Sequence, residues 1–351
     1  MINLKKINVF RRKLTKLITK NLVNTKRFEN YDIIDKKDIK RILICRPNHR
    51  LGNQLLITPI VKELIEIFPD SKIDLFVKGN IASVIFENYD NIDTIISLPK
   101  EHFKYIFKYI NSWIQLRQKQ YDLVINVTEN SSSGKISTKF AKSNHKYFGD
   151  LNNDTQQNPI NKDLNHIAKR PVLALRNYLS KIGIDVSKTQ IPSLDIKLSD
   201  LEIVEGKKKL NELIYNDKKT ICLFTYATGD KCYSEIWWLE LYEAIKLKYN
   251  NYNIIEVLPV ENISKINFKA PSFYSKDIRQ ICSFIANTDV FVGADSGMMH
   301  LASASLTQTV GLFSITDIEV YAPYNNKSIG INTNSMTKNE IIEVIENVLS
   351  K

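Results

Sequence analysis

Cysteine is scarce in these 351 residues: Cys45, Cys222, Cys232 and Cys282 are far apart and form no CxxC pair. Thiols placed in strand-like or helix-like apolar runs behave as small core residues, so a structural metal and a disulfide framework are not expected, and a reduced, cytoplasmic setting is. A GxGxxG fingerprint is missing from the loop after the first strand, where a dinucleotide-binding protein would carry it. Near the N-terminus the apolar residues are too interrupted by charge to span a bilayer, and no apolar core with a small-residue cleavage site follows them. Acid is absent from residues 1 to 28, which hold nine Lys or Arg.

That imbalance explains the net charge. Removing those nine cations from +11 leaves +2 for the other 323 residues, so the body is nearly neutral and a body-wide nucleic-acid surface is not expected. In the same stretch Leu4, Ile7, Phe10, Leu14, Leu17, Ile18 and Leu22 recur at helical intervals, the pattern of a basic amphipathic helix lying on an anionic membrane surface. The alternative is a solvated extension. Hydrophobic residues make up 43% of the chain, and its length suits two domains of ordinary size.

From residue 41 onward short apolar runs alternate with helical patterns. Strands are expected at Arg41 to Cys45, Lys72 to Val77, Asp93 to Leu98 and Tyr121 to Val127, with helices from about Gln54 to Phe68 and from His102 to Lys119. Residues 129 to 165 are polar and read as irregular, with a short strand at Tyr147 and Phe148. A helix from Asn165 to Ile182 precedes a linker, Gly183 to Asp200. The alternation restarts with strands at Thr220 to Thr225, Asn253 to Leu258, Val290 to Val292 and Thr309 to Phe313, and helices at Ser234 to Tyr249, Asp277 to Asn287 and Thr337 to Leu349. Two successive sets of parallel βα units imply an α/β fold of two Rossmann-like domains, with ligands in the cleft between them at the carboxyl ends of the strands. The divisions are an extension (1–40), an N-terminal domain (41–190), a C-terminal domain (191–335) and a final helix (336–351).

Three strand-to-helix loops carry chemistry. Asp295-Ser296-Gly297 precedes a small-residue helix bearing His300; helix-start N–H groups have no internal partner, so this is an anion site into which Gly297 admits a ligand. An ordinary capped helix is the competing reading. Thr228, Gly229 and Lys231 follow the Thr220 strand and offer hydroxyl, backbone and ammonium donors to a diphosphate. Trp237 and Trp238, at the start of the next helix, read as core for at least one of the two. Arg46, His49, Arg50, Gly52 and Asn53 follow the first strand: two arginines to hold an anionic acceptor, a histidine able to take a proton, a glycine for a tight turn and an amide placed to cap the helix. Glu261, past the Asn253 strand, is a candidate for ribose hydroxyls.

Two separated motifs then narrow the field. Arg50 to Val77, RLGNQLLITPIVKELIEIFPDSKIDLFV, resembles the start of glycosyltransferase family 9, the ADP-heptose:lipopolysaccharide heptosyltransferases. DVFVGADSGMMHLASAS, followed by LFSIT and YAPYN (Tyr321 to Asn325), looks like the donor-site signature of that family. The resemblance covers residues 41 to 350. It implies a GT-B architecture of two Rossmann-like domains facing a central cleft, with the C-terminal helix returning to the first domain. It implies inverting, metal-independent transfer of a sugar, heptose or another, from a nucleotide-diphosphate donor such as an ADP-sugar to a lipopolysaccharide or related lipid-linked glycan. No separate cofactor is implied, and the setting is the inner face of the plasma membrane. Asp295, Ser296, Gly297 and His300 would hold the donor diphosphate, assisted by Thr228, Gly229 and Lys231.

The chain departs from the family pattern twice. Asn53 stands where the family carries an aspartate, its candidate general base, and an amide accepts no proton at neutral pH. Either His49 is the base, or Asn53 orients the acceptor, or the protein is a catalytically impaired binder of nucleotide sugar or glycan with an assembly role. Glu235-Ile236-Trp237 replaces a Lys-Arg-Trp segment, with Lys231 four residues earlier, so the donor sugar is left open.

Overall fold

The computed structural model describes residues 31–101, 104–149, 162–186, 190–325 and 327–350. The basic amphipathic segment of residues 1 to 28 lies outside them. The first sheet is formed by β1 (Arg41–Arg46), β2 (Lys72–Lys78), β3 (Ile92–Leu98), β4 (Gln120–Asn126) and β5 (Lys142–Tyr147), ordered β3-β2-β1-β4-β5. The second is formed by β6 (Thr220–Phe224), β7 (Asn253–Val257), β8 (Ser272–Phe273), β9 (Val290–Ala294), β10 (Thr309–Phe313) and β11 (Ile329–Asn332), ordered β11-β10-β9-β6-β7-β8. Every pairing is parallel. Parallel strands covered on both faces must be apolar on both, and Ile42 to Cys45, Ile221 to Leu223 and Val290 to Val292 are all fully buried. In each sheet the strand order reverses beside a central strand, between β1 and β4 and between β6 and β9. Those are the points at which an open α/β sheet leaves a crevice.

The first expected helix is two. Leu51–Leu55 (α1) and Thr58–Ile67 (α2) are separated because Pro59, second in α2, has no N–H to continue a helix and its ring crowds the preceding turn. The helix therefore begins at Leu51 with Arg50 at its N-cap, and Asn53 lies inside the first turn instead of capping it. After α3 (Ile81–Ile85), helix α4 (Ile106–Gln118) lies on the first sheet through Tyr109, Trp113 and Leu116. The polar stretch after residue 129 is more regular than its composition suggests: Ser131 caps α5 (Ser132–Phe140) by accepting from Gly134 N, and β5 follows directly. Side-chain capping supplied order that hydrophobic pattern did not.

Beyond α6 (Lys169–Lys181), residues 183 to 199 have no helix or strand among those described, and α7 (Asp200–Leu213) opens on a capping box of Ser199 and Glu202. The second sheet carries α8 (Glu235–Lys248), α9 (Ile278–Ala286), α10 (Gly297–Ala304) and α11 (Ile318–Tyr321). The final helix, α12 (Lys338–Leu349), starts on a capping box of Thr337 and Glu340. It packs Ile341, Ile342, Ile345 and Val348 against α8 and the second sheet, and Tyr249 Oη donates to the Ile342 carbonyl at 3.2 Å. The return of this helix to the first domain, implied by the family resemblance, is corrected: its apolar stripe is consumed by its own sheet.

The halves are tied at Arg279 of α9. Its buried guanidinium donates to Glu202 at 2.5 and 2.9 Å, to the Val84 carbonyl at 2.9 Å and to the Ile196 and Lys197 carbonyls at 3.2 and 3.0 Å. Burial alone would raise the Glu202 carboxyl, but hydrogen bonds from Arg279 and Ser199 outweigh it and hold it at about 2.

Candidate functional site

The loops after β1, β6 and β9 converge because these strands flank the two switch points. At their meeting place the first turns of α1 and α10 touch. A Cβ added to Gly297 would lie 3.3 Å from Gly52 N, and one on Gly52 would lie 3.0 Å from His300 Cδ2 and 3.4 Å from Gly297 Cα. Glycine at both positions permits this close approach, and a side chain at either would have to push its neighbour aside. Two helix N-termini, each with unpaired N–H groups, thus face one small region from opposite domains.

On the first-domain side Arg46, the last residue of β1, is buried, and its Nη2 donates to Asn53 Oδ1 at 3.1 Å. Asn53 Nδ2 donates in turn to Asn48 Oδ1 at 3.3 Å, which also accepts from Arg50 N at 2.9 Å, while Gln54 Nε2 donates to the Arg46 carbonyl at 3.3 Å and to the Asn48 carbonyl. Amides therefore fix the loop. Among the described residues no carboxylate lies within 4.0 Å of the Arg46 guanidinium, and burial lowers its pKa, only partly countered by Tyr321. A buried cation whose side-chain partner is a neutral amide is electrostatically incomplete.

His49 and Arg50 are exposed on the same loop. Partial desolvation first, then the charges of Lys78, Lys100 and Arg50, pull the His49 imidazole below its ordinary value, which favours the neutral form able to accept a proton. Beside it opens a cavity of about 470 Å³ lined by Gly79, Ser97, Leu98, Lys100, Tyr105 and Lys108 among others.

On the second-domain side Thr228 leads into a 3-10 turn, Gly229–Lys231, that Gly229 enters at φ +68°. Lys231 does not stand alone: its Nζ lies 2.5 Å from Asp295 Oδ2, which also accepts from Thr316 Oγ1 at 2.5 Å. Asp295 is buried, whereas the lysine keeps one edge open. Ser296 caps α10 by accepting from Met299 N at 3.3 Å. His300 is buried rather than facing open cleft; desolvation lowers its imidazole to about 4 against the opposing pull of Asp295, and its Nδ1 has no hydrogen-bond partner. Tyr321 stands between the domains, its ring 5.9 Å from Lys231 Nζ and its phenol near the Arg46 guanidinium.

Glu261 is exposed on the loop after β7. The carboxylate that organises this region is Glu256, which sequence reasoning missed: buried, it accepts from Thr225 Oγ1 at 2.5 Å and from Ser264 Oγ at 2.6 Å, and burial raises its pKa. Trp238 is fully buried in the second core, while Trp237 is half-buried and stacks on Tyr233 at 4.1 Å. Thr316 was also missed, although it ends the LFSIT run. Among the described residues no three His, Cys, Asp or Glu side chains are grouped as metal ligands would be.

Two parallel α/β domains meeting at the carboxyl ends of their strands define a GT-B fold. Solved structures that share it include a glycosyl transferase family 9 protein from Veillonella parvula, with TM-score 0.70, 17% identity and coverage of 92% of this chain and 99% of that one, and an E. coli heptosyltransferase solved with ADP, with TM-score 0.64, 17% identity and coverage of 88% and 99%. The sequence model described as glycosyltransferase family 9 (heptosyltransferase) matches residues 275–347, from α9 into α12. Lipopolysaccharide heptosyltransferase 3 of E. coli K12 is 23% identical, over 79% of this chain and 84% of its own length. Lipooligosaccharide heptosyltransferase 2 of Campylobacter jejuni is 23% identical, over 79% and 82%. The chain is similar to glycosyltransferase family 9 over residues 275–347 and to these heptosyltransferases over most of its length.

Proposed function

We propose that the protein is a glycosyltransferase that moves a sugar, heptose or another, from a nucleotide-diphosphate donor to a lipopolysaccharide or related cell-surface glycan. The observation that carries this reading is the junction of α1 and α10, where two helix N-termini meet at Gly52 and Gly297, with Lys231 on one domain and the uncompensated Arg46 on the other. The names of the relatives, and the ADP held by one solved neighbour, support it.

In the proposed reaction the α10 N–H groups and Lys231 take the charge that develops on the leaving diphosphate. Asp295 and Thr316 fix the Lys231 ammonium so that little reorganisation accompanies bond breaking. Thr228 and Gly229 line the same loop, Ser296 and Gly297 set the helix start, and buried neutral His300 packs behind them as a rigid wall. Glu261 reaches for the nucleoside from the β7 loop. On the opposite domain Arg46, Arg50 and Gly52 shape the acceptor side. His49, neutral at working pH, removes the acceptor proton as the sugar carbon is attacked from the face opposite the diphosphate, which inverts its configuration without a metal. Asn53 orients the loop through Arg46. Residues 1 to 28 hold the enzyme at an anionic membrane surface on the cytoplasmic side.

The test is transfer itself: wild-type protein with ADP-, GDP- and UDP-linked sugars and truncated lipopolysaccharide acceptors, with products read by mass spectrometry. Addition of one sugar residue, lost in Lys231→Ala, is expected. Tight nucleotide-sugar binding with no transfer to any acceptor would favour the catalytically impaired binder, the alternative that Asn53 motivates.

A further inference from the structure

Helix α4 has two apolar faces. One, with Tyr109, Trp113 and Leu116, is spent on the first sheet, where Trp113 meets Phe76, Tyr109 and Phe140 edge-on at 5.2, 6.2 and 5.5 Å. The other is bare. Ile106, Ile110 and Ile114 recur every fourth residue and, with Phe107, occupy about 100° of the helix circumference at 100° per residue. Phe107 is 85% exposed, and the three isoleucines are 44 to 49% exposed. Four large apolar side chains contiguous on one helix exceed the scatter of single exposed residues and mark a contact surface.

Charge decides what it contacts. Lys104 and Lys108 border the strip, Arg117 closes its far end over the Phe140 ring at 5.1 Å, and Glu101 is the sole carboxylate between residues 100 and 121. The extension of residues 1 to 28, with nine cations and no acid, is repelled from such a strip. A second copy docked face to face would oppose lysine to lysine. An apolar strip rimmed by cations complements an anionic lipid headgroup layer, with the isoleucines and Phe107 in the acyl boundary and the ammonium groups at the phosphates. Lys100, Tyr105 and Lys108 also line the cavity beside His49, so the strip and the mouth of that cavity share one side of the first domain.

We propose that the outward face of α4 docks on an anionic membrane surface. This contact is separate from the basic extension and brings the His49 cavity to the lipid plane. Among the described residues no helix is long and apolar enough to cross a membrane, so the attachment is interfacial.

The test uses the full chain and vesicles of phosphatidylcholine with or without 30% phosphatidylglycerol. Phe107→Ser/Ile110→Ser/Ile114→Ser, and separately Lys104→Glu/Lys108→Glu, should each weaken partitioning onto the anionic vesicles by about tenfold or more, leaving weak binding to the neutral ones unchanged. A fluorophore on Ile110→Cys should shift to the blue on anionic vesicles alone. Wild-type partitioning by both variants, or a label that stays in water while the protein binds, overturns the proposal and leaves attachment to the extension. A wild-type dimer that the serine variant dissociates, with vesicle binding intact, would make the face a self-interface instead. The serine variant should still transfer to a soluble acceptor fragment and fail only on vesicle-embedded acceptor; loss with both acceptors would indict the transferase reading, not the docking face.

Discussion

Replacing Asn53 with aspartate puts a carboxylate 3.1 Å from the Arg46 guanidinium, where an amide oxygen now stands. A hydrogen bond between two charged groups contributes about 2 to 3 kcal/mol against about 1 for a neutral acceptor, and the guanidinium is already desolvated, so its burial cost is not incurred again. Against this, the 3.3 Å bond from Asn53 Nδ2 to Asn48 Oδ1 becomes a repulsion between two oxygens, at about 1 kcal/mol. The net expectation is a stabilisation of up to about 1 kcal/mol, a rise in Tm of up to roughly 2 to 4 °C for a domain of this size. The new carboxyl has a folded pKa depressed by Arg46, so the gain is present above the unfolded value of about 3.9 and is lost as pH falls through the folded value. Melting Asn53→Asp and wild type in parallel at pH 7.5 and at pH 3.5 to 4 reads this directly. A Tm at pH 7.5 below wild type would refute the claim that the Arg46 charge lacks a counter-ion.

Other outcomes follow from the same geometry. Gly297→Val sets a side chain against Gly52 N and Leu51; it should open the α1 and α10 junction, cost about 1 to 3 kcal/mol of stability and weaken nucleotide binding, read by thermal melting with and without ADP. His49→Gln should lower kcat about a hundredfold or more; in wild type the rate should fall as pH drops through a value below 6.5, because the depressed imidazole must be neutral to act, and a variant keeping that acid limb would exclude His49 as the base. Arg279→Met removes five hydrogen bonds, although Ser199 and Asn88 still donate to Glu202 and Asn88 to the Lys197 carbonyl, and should destabilise the protein by about 3 kcal/mol in urea unfolding, with the nucleotide contacts untouched.

Much of this fold was legible because parallel strands buried on both faces are continuous apolar runs: RILIC, TICLF and VFVGA announce themselves, and Asp277 and Thr337 announce the starts of α9 and α12 by capping. What pattern could not reach is set by contact. Strand β8 is two residues long, and α7 shows a weak stripe because Gly206 packs against the α9 backbone, where a side chain would strike the Ser283 carbonyl. Segment 132 to 147 is mostly polar, so helix α5 was hidden until Ser131 capped it, and of β5 only the end at Tyr147 was expected before β4 paired the rest. At the site, sequence named Lys231 and Asp295 separately and missed that they are one ion pair, since 64 residues divide them and only the adjacency of β6 and β9 joins them. His300 was read as facing the cleft because it follows a helix start; one turn along α10 the side chain turns inward, against Gly52.

The central claim is that a diphosphate sits between Lys231, the start of α10 and Arg46. Calorimetric titration of ADP into the wild type, Lys231→Ala and Arg46→Gln tests it most directly. The account predicts one site per chain in the wild type and affinity weakened tenfold or more in each variant. No heat of binding in the wild type, or equal affinity in all three proteins, would contradict it.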